Sequence, residues 1–200
     1  GCTVTVVGEA MQRAPLFELA SAREARALSQ WLETNFAAIK AEAESTTRIG
    51  TLENIQSWVI ANKLFTRFNY LTGDAAGQNM TGKATHKACQ WVLSNFTGIQ
   101  NFFLSGGIET DKKHSHMNLL HSRGKKVVAE AVIKKALLQS LMRAEPERMV
   151  RLRQRTIVGS LLAGSAYNGP HSANGIAAMF IATGQDEANV VESHAGIAFM

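Results

Sequence analysis

From Leu19 to about Thr46 one apolar stripe constrains the fold more than any other feature. Ala25, Leu28, Leu32, Phe36 and Ile39 recur every three or four residues among strong helix formers such as Ala and Glu. A helix with one apolar face must bury it against a second layer. The next two stretches, Thr47 to Ser57 and Trp58 to Tyr70, are rich in β-branched and aromatic residues and suit a pair of antiparallel strands. The second runs into Leu71-Thr72-Gly73-Asp74, a second helix is predicted from Gln78 to Asn95, and Asn101 to Leu104 returns as a strand. Helix, two strands, helix and strand make a compact α+β unit of the split βαβ type.

Around this unit the texture differs. A β-prone run, Thr3 to Val7, precedes it, with the predicted turn Arg13-Ala14-Pro15 coming after that strand. Beyond it come a Gly- and Lys-rich loop from Ser105 to His116, a strand from Val127 to Ile133, and helices around Lys134 to Met142 and Glu145 to Leu162. Ser160 to Ala177 is rich in Gly, Ser, Ala and Asn, residues that permit close backbone approach. The boundary between the two parts falls near residue 103, without a flexible linker. Neither Gly1 nor Met200 carries a capping or linker signal, so the expectation is a piece cut from a longer protein.

With 46% hydrophobic and 18% charged residues and three prolines, disorder is not the default reading. No apolar run approaches the roughly 20 residues that cross a bilayer, and no signal-peptide pattern opens the chain. Cys2 and Cys89 lie far apart without metal-ligand spacing, which suits a reduced, cytosolic setting. The net charge of +5 gathers at Lys112-Lys113, Arg123 to Lys126 and Arg148 to Arg155. Solvated helix faces, nucleic acid and an anionic small ligand each fit that balance; no nucleic-acid module or aromatic–basic platform accompanies it.

Three short segments carry chemistry. In Ser105-Gly106-Gly107-Ile108-Glu109-Thr110-Asp111-Lys112-Lys113, glycines allow close approach to a ligand and an acid stands beside two lysines. A lysine so placed stabilises a developing alkoxide, and the carboxylate tunes it; a surface loop with a local salt bridge is the plainer reading. In Gly73-Asp74-Ala75-Ala76-Gly77-Gln78-Asn79-Met80, small residues at a helix start offer backbone N–H groups to a phosphate. The segment does not match the G-x-G-x-x-G fingerprint, and Asp74 reads equally as a helix cap. In Ile181 to Asn189, Asp186 follows the Gly that ends an apolar helix, and a turn carboxylate is usually just solvated. His171 and Asn174, three apart, suit one helix face. Neither a catalytic triad nor zinc spacing is recognisable.

The ordered set Gly-Asp-Ala-x-Gly-x-Asn-Met, Ser-Gly-x-x-x-Thr-Asp-Lys-Lys and Gly-Gln-Asp resembles the 3-hydroxy-3-methylglutaryl-coenzyme A reductase family. Gly124 to Ile133 and Val158 to Ser165 share the resemblance, which runs from about Ala10 to Met200 and is closer in style to the eukaryotic and archaeal class. It implies an NADPH-dependent oxidoreductase of the mevalonate and isoprenoid pathway. Such an enzyme reduces hydroxymethylglutaryl-CoA to mevalonate and CoA through two hydride transfers. A non-catalytic relative that binds a CoA thioester or NADPH is the alternative. The implied fold is α+β: residues 15–103 form a ferredoxin-like small cofactor domain, inserted in an α/β large CoA-binding domain represented by residues 1–14 and 104–200.

Carried onto this sequence, the resemblance makes Lys112 the oxyanion-stabilising lysine and Asp186 its networked carboxylate. Arg13, Ser105, Asp111, Lys113, Arg155, His171 and Asn174 become substrate contacts. Arg155 stands where the family usually has lysine, and the two cations are not equivalent, because arginine prefers a planar, bidentate contact. Thr47, Arg48, Asp74, Ala76, Gly77, Gln78 and Asn79 become cofactor contacts, with Arg48 reading the extra phosphate of NADPH through paired N–H donors. Ala76 replaces a common methionine, and the Tyr167 to His171 region is one residue shorter than the usual pattern. The family's catalytic glutamate would lie upstream of Gly1 and its C-terminal histidine beyond Met200; His194 is in the wrong setting for that role. A homodimer or dimer-based oligomer with shared active sites, no metal, no nucleic-acid partner and a cytoplasmic location complete the expectations, any membrane anchor lying outside this sequence.

Overall fold

The chain opens with strand β1 (Cys2–Arg13), breaks at Ala14-Pro15, and resumes as β2 (Leu16–Glu18). Proline has no N–H for a ladder, so a strand cannot run through Pro15 unaltered. Helices α1 (Ala22–Thr34) and α2 (Phe36–Glu44) follow, then β3 (Thr51–Ile60), β4 (Lys63–Leu71), α3 (Gln78–Asn95) and β5 (Asn101–Phe103). Beyond these lie α4 (His116–Leu120), β6 (Gly124–Ala131), α5 (Lys135–Leu137) running into a π-helical turn, α6 (Pro146–Leu162), α7 (Ser172–Thr183), a 3₁₀ turn (Glu187–Asn189) and α8 (Val190–Ser193). The computed structural model describes residues 1–165 and 172–200. They fall into two units: Glu9–Glu109 with Arg123–Lys125, and Gly1–Gly8 with Thr110–Ser122 and Lys126–Met200.

In the first unit β4 is paired along both edges. β3 takes one edge from Ile60↔Lys63 to Thr51↔Leu71, with an irregularity between Leu52 and Asn54. The other edge is shared by β2 (Leu16↔Phe65 to Glu18↔Lys63) and β1 (Met11↔Tyr70 to Arg13↔Phe68), all antiparallel. Thr66 bridges the interruption, its N–H and its hydroxyl both donating to the Pro15 carbonyl at 2.9 and 2.7 Å. β5 pairs antiparallel with β2, so the strands run β5-β2-β4-β3 with β1 continuing the β2 edge.

The helices cover this sheet with one core: Phe17, Leu28, Leu32, Ile39, Leu52, Leu64, Phe68, Tyr70, Cys89 and Val92 are almost wholly buried. Trp31 of α1 stacks on Trp91 of α3 at 5.5 Å, and Phe96 meets Trp31 edge-on. The expected single helix from Leu19 to Thr46 is two helices. At Asn35, where α1 ends, the backbone N–H makes the last helical bond to the Trp31 carbonyl and the side-chain amide donates to the same oxygen, both at 2.9 Å. Such local bonding competes with helix continuation. The start of α1 is fixed by Ser21, whose hydroxyl accepts the Glu24 N–H, while Glu24 accepts the Ala20 N–H. The hairpin turn lies at Ala61-Asn62, three residues beyond the expected Ser57/Trp58 boundary. Asn62 exchanges bonds with Leu19 there, its amide donating to the Leu19 carbonyl at 2.8 Å and its own carbonyl accepting the Leu19 N–H at 3.0 Å. The predicted α3 and the returning strand at Asn101 stand where expected, whereas Lys134 to Met142 gives only a short helix and a π-helical turn.

In the second unit β6 pairs with β1. Leu138 is the only buried apolar side chain of that unit among the described residues, and Leu161, Leu162, Met179 and Ile181 are exposed. Polar contacts hold it instead: Arg153 of α6 is buried and donates twice to the Ala198 carbonyl, at 3.0 and 2.9 Å. Among the described residues no helix is long and apolar enough to cross a membrane.

Leu28 has no exposed surface and faces the core of the first unit. Leu28→Ala is expected to cost about 2–5 kcal/mol, read as a lowered urea midpoint with an unchanged slope.

Candidate active site

Arg13 and Ser105, far apart in sequence, are drawn together by the Ala14-Pro15 break. The Ala14 carbonyl, released from the ladder, accepts the Gly106 N–H at 2.6 Å. Arg13 and Ser105 are the immediate chain neighbours of that bond. The space at Gly106 is tight, since an added Cβ would meet Leu16 Cβ at 3.1 Å and the Ala14 oxygen at 3.3 Å. The Arg13 guanidinium also lies against Gly82 of α3, its Nε buried without a hydrogen-bond partner.

The loop that follows is organised by Glu109, which motif reading passed over. Its buried carboxylate accepts the Ser105 hydroxyl and the Gly107 N–H, the latter at 3.0 Å. It also lies within electrostatic reach of Arg67, a fully buried guanidinium on β4. Burial and the like charge of Arg123 lower the Arg67 pKa to about 10, and Glu109 opposes that fall. Arg67 therefore stays charged at neutral pH.

The cofactor candidates also come together in this unit. α3 starts at Gly77, in the left-handed region at φ +77°, with no side chain capping it. Gly77 has no side chain with which to cap the helix, and the N-terminal end of a helix favours an anion. Asp74 is not the cap and lies exposed in the loop before the helix, as does Ala76. Thr72 shapes that loop, donating to the Ala75 carbonyl at 2.6 Å. A Cβ at Gly77 would lie 2.5 Å from the Thr72 methyl group. The turn carrying Thr47 and Arg48 rests against the same helix start. Thr47 Oγ1 lies 3.0 Å from Met80 Sδ, and it accepts the Gly50 N–H at 3.0 Å. Arg48 is exposed beside it, with Gln78 and Asn79 in the first turn of α3. A helix start with glycine at its cap and an adjacent exposed guanidinium fits a dinucleotide carrying an extra phosphate.

In the second unit Lys112 and Asp186 meet, Nζ to Oδ2 at 2.9 Å. Asp186 stands just before the 3₁₀ turn and accepts the Ala188 N–H at 3.1 Å. The hydrogen bond that Lys112 donates to Asp186, together with the charge of that carboxylate, raises the Lys112 pKa. The bond from Lys112, with that from the Ala188 N–H, holds the Asp186 carboxyl below the usual carboxylate range. Both side chains are 43% exposed, so water screens the pair and its value lies in placement more than in stability. The loop itself is braced by Asn118, which accepts the Thr110 hydroxyl and donates to the Lys113 carbonyl at 3.0 Å. Lys113 Nζ donates to the Asp111 carbonyl at 3.1 Å. Arg155 on α6 and Asn174 on α7 are exposed, and among the described residues no hydrogen bond or ion pair joins them to Lys112 or Asp186. His171 lies outside the described residues. No group of three or more His, Cys, Asp or Glu side chains suited to a metal ion occurs among the described residues.

The depressed Asp186 and raised Lys112 values set the pH range of the pair. It persists through neutrality, is lost on the acid side only as pH falls through the lowered Asp186 value, and on the alkaline side only above the raised Lys112 value. In Lys112→Met the Asp186 titration, followed by carboxyl carbon NMR, is expected to move up toward the usual carboxylate value. An unmoved midpoint would refute the pair.

Comparison with known proteins places this geometry. The model of the family "Hydroxymethylglutaryl-coenzyme A reductase" matches residues 1–200. A 3-hydroxy-3-methylglutaryl-coenzyme A reductase of Methanothermobacter thermautotrophicus is 41% identical over 199 residues, covering 98% of this chain and 50% of that protein. One from Strongylocentrotus purpuratus is 41% identical over 198 residues, covering 96% of this chain and 21% of its own length. Among solved structures, the class II enzyme from Streptococcus pneumoniae, bound to NADPH in open conformations, superposes with a TM-score of 0.64 at 19% identity. That match covers 98% of this chain and 46% of that one. The chain thus spans half or less of the length of these relatives. With mixed helices and sheet in the arrangement of a solved reductase, and a family model matched from end to end, the chain belongs to the hydroxymethylglutaryl-coenzyme A reductase family.

Proposed function

We propose that the full-length protein carrying this chain reduces hydroxymethylglutaryl-CoA to mevalonate and CoA, using two molecules of NADPH. The observation that carries this reading is the Lys112–Asp186 pair, formed by residues on the family's Thr-Asp-Lys-Lys and Gly-Gln-Asp motifs. NADPH, when bound, supplies the hydride for each reduction. The Lys112 ammonium is the group that stabilises the oxyanion left on the thioester carbonyl, and Asp186 keeps it charged and directed. Arg13, Ser105, Asp111 and Lys113 hold the hydroxyl and carboxylate end of the substrate, with Arg155, His171 and Asn174 as further contacts. The start of α3 and the Asp74–Asn79 loop hold the dinucleotide, and Arg48 with Thr47 holds its extra phosphate.

We read the unit from about Pro15 to residue 103 as a ferredoxin-like cofactor domain inserted in a larger CoA-binding domain. The antiparallel order β5-β2-β4-β3 with helices packed on the sheet supports this reading.

The test is NADPH oxidation in the presence of hydroxymethylglutaryl-CoA, with the full-length protein. Lys112→Ala is expected to lower kcat by roughly 10²–10³-fold, as for other oxyanion donors. Absence of turnover from folded wild-type protein would leave a relative that binds a CoA thioester or NADPH without catalysis. Arg48→Gln removes a charge-assisted phosphate contact of about 1.5–3 kcal/mol. It is expected to raise KM for NADPH by about 10- to 100-fold and to leave KM for NADH unchanged. Equal effects on the two cofactors would place the phosphate elsewhere.

A further inference from the structure

Lys112 is held at two points by one short segment. Its ammonium meets Asp186, and its backbone N–H donates to Glu192 Oε2 at 2.6 Å. The two carboxylates lie six residues apart on the same hook, the 3₁₀ turn followed by α8. The hook is internally bonded: Asp186 accepts the Ala188 N–H, and the His194 ring and backbone N–H both reach the Val190 carbonyl. A third contact closes it on the loop, the His114 ring stacking on His194 with centroids 4.9 Å apart.

The backbone of Lys112 explains what the second grip does. Its φ is +55°, a left-handed conformation uncommon for a residue with a Cβ, and Thr110 two residues earlier is at +61°. Asn118 braces the loop at Thr110 and Lys113, on either side of Lys112. The bond from Lys112 N–H itself goes to Glu192. The Asp186 contact alone would leave the four-carbon lysine stem to swing as the backbone relaxed.

We propose that Glu192 is a positioning residue for Lys112: its carboxylate fixes the left-handed backbone from which the lysine ammonium is presented beside Asp186. The proposal rests on the reductase reading for its kinetic consequence, while the hydrogen bond is testable without it. The motif set stops at Asp186, so Glu192 adds a determinant of lysine placement outside those motifs.

The experiment uses the full-length protein with Glu192→Ala and Glu192→Gln, the latter retaining a carbonyl acceptor for the N–H. Hydrogen exchange at the Lys112 amide, read by NMR, is expected to quicken in Glu192→Ala and to stay close to wild type in Glu192→Gln. In NADPH oxidation Glu192→Ala is expected to lower kcat by about 10- to 100-fold with KM for both substrates nearly unchanged. Glu192→Gln is expected to recover most of that loss. Wild-type kcat in Glu192→Ala, an unchanged Lys112 amide, or a Gln variant as impaired as the Ala variant would each overturn the proposal. If the wild-type protein oxidises no NADPH, the reductase reading fails, and the amide exchange still decides whether Glu192 holds Lys112.

Discussion

Strand β4 is the element on which the first unit depends, because β1, β2 and β3 all take their register from it. One edge is filled by β3 over nine residues of β4; the other must be filled by two strands, since Pro15 cannot donate into a continuous ladder. Thr66 satisfies the Pro15 carbonyl at the gap, and the neighbouring Ala14 carbonyl turns to the Gly106 N–H. A backbone defect in the sheet is thereby the anchor for the glycine loop. The position of Ser105 relative to Arg13 follows from ladder geometry and not from any contact between the two side chains.

The second unit relies on different physics. With Leu138 as its one buried apolar side chain among the described residues, burial contributes little to the placement of its functional loop. Placement comes from directed hydrogen bonds at backbone groups: Asn118 donates to the Lys113 carbonyl, and Glu192 accepts the Lys112 N–H. A half-exposed ion pair such as Lys112–Asp186 adds little stability. Bonds that restrain φ and ψ are what give such a pair a reproducible direction. The two left-handed residues of the loop, Thr110 and Lys112, sit where that restraint is concentrated.

Legibility in the sequence followed the range of the interactions involved. Helix α3 could be read from Gln78 to Asn95 because its limits are set locally, by Gly77 before it and Phe96 after it. The Lys112–Asp186 pairing was legible only through ordered motifs, since 74 residues separate partners that no local pattern links. The break at Asn35 was hidden because the apolar stripe passes through it undisturbed, while the Asn35 amide bonds back to the Trp31 carbonyl. The hairpin turn was displaced because Asn62 is fixed by Leu19, 43 residues away. Glu109 and Glu192 read as ordinary acids; their roles exist only once the chain has brought Ser105 and Lys112 to them.

Arg67 shows why a strand of apolar and aromatic texture can conceal polar structure. It lies wholly buried in β4, two residues from Asn69, which reaches Asn54 at 2.8 Å and Gln56 at 3.3 Å on β3. A buried guanidinium tolerates its charge only with acceptors or a counter-charge nearby. Glu109 provides the opposing charge, yet the same carboxylate is committed to Ser105 and to the Gly107 N–H. One buried carboxylate thus serves two ends, helping a charged arginine to exist inside the sheet and holding the start of the glycine loop. Arg123, whose like charge lowers the Arg67 pKa, raises the demand on that carboxylate. The loop therefore cannot release Glu109 without leaving a buried cation less compensated. The Ser105 end of the loop is thus tied to a buried carboxylate, while its Lys112 end depends on carboxylates that water can reach.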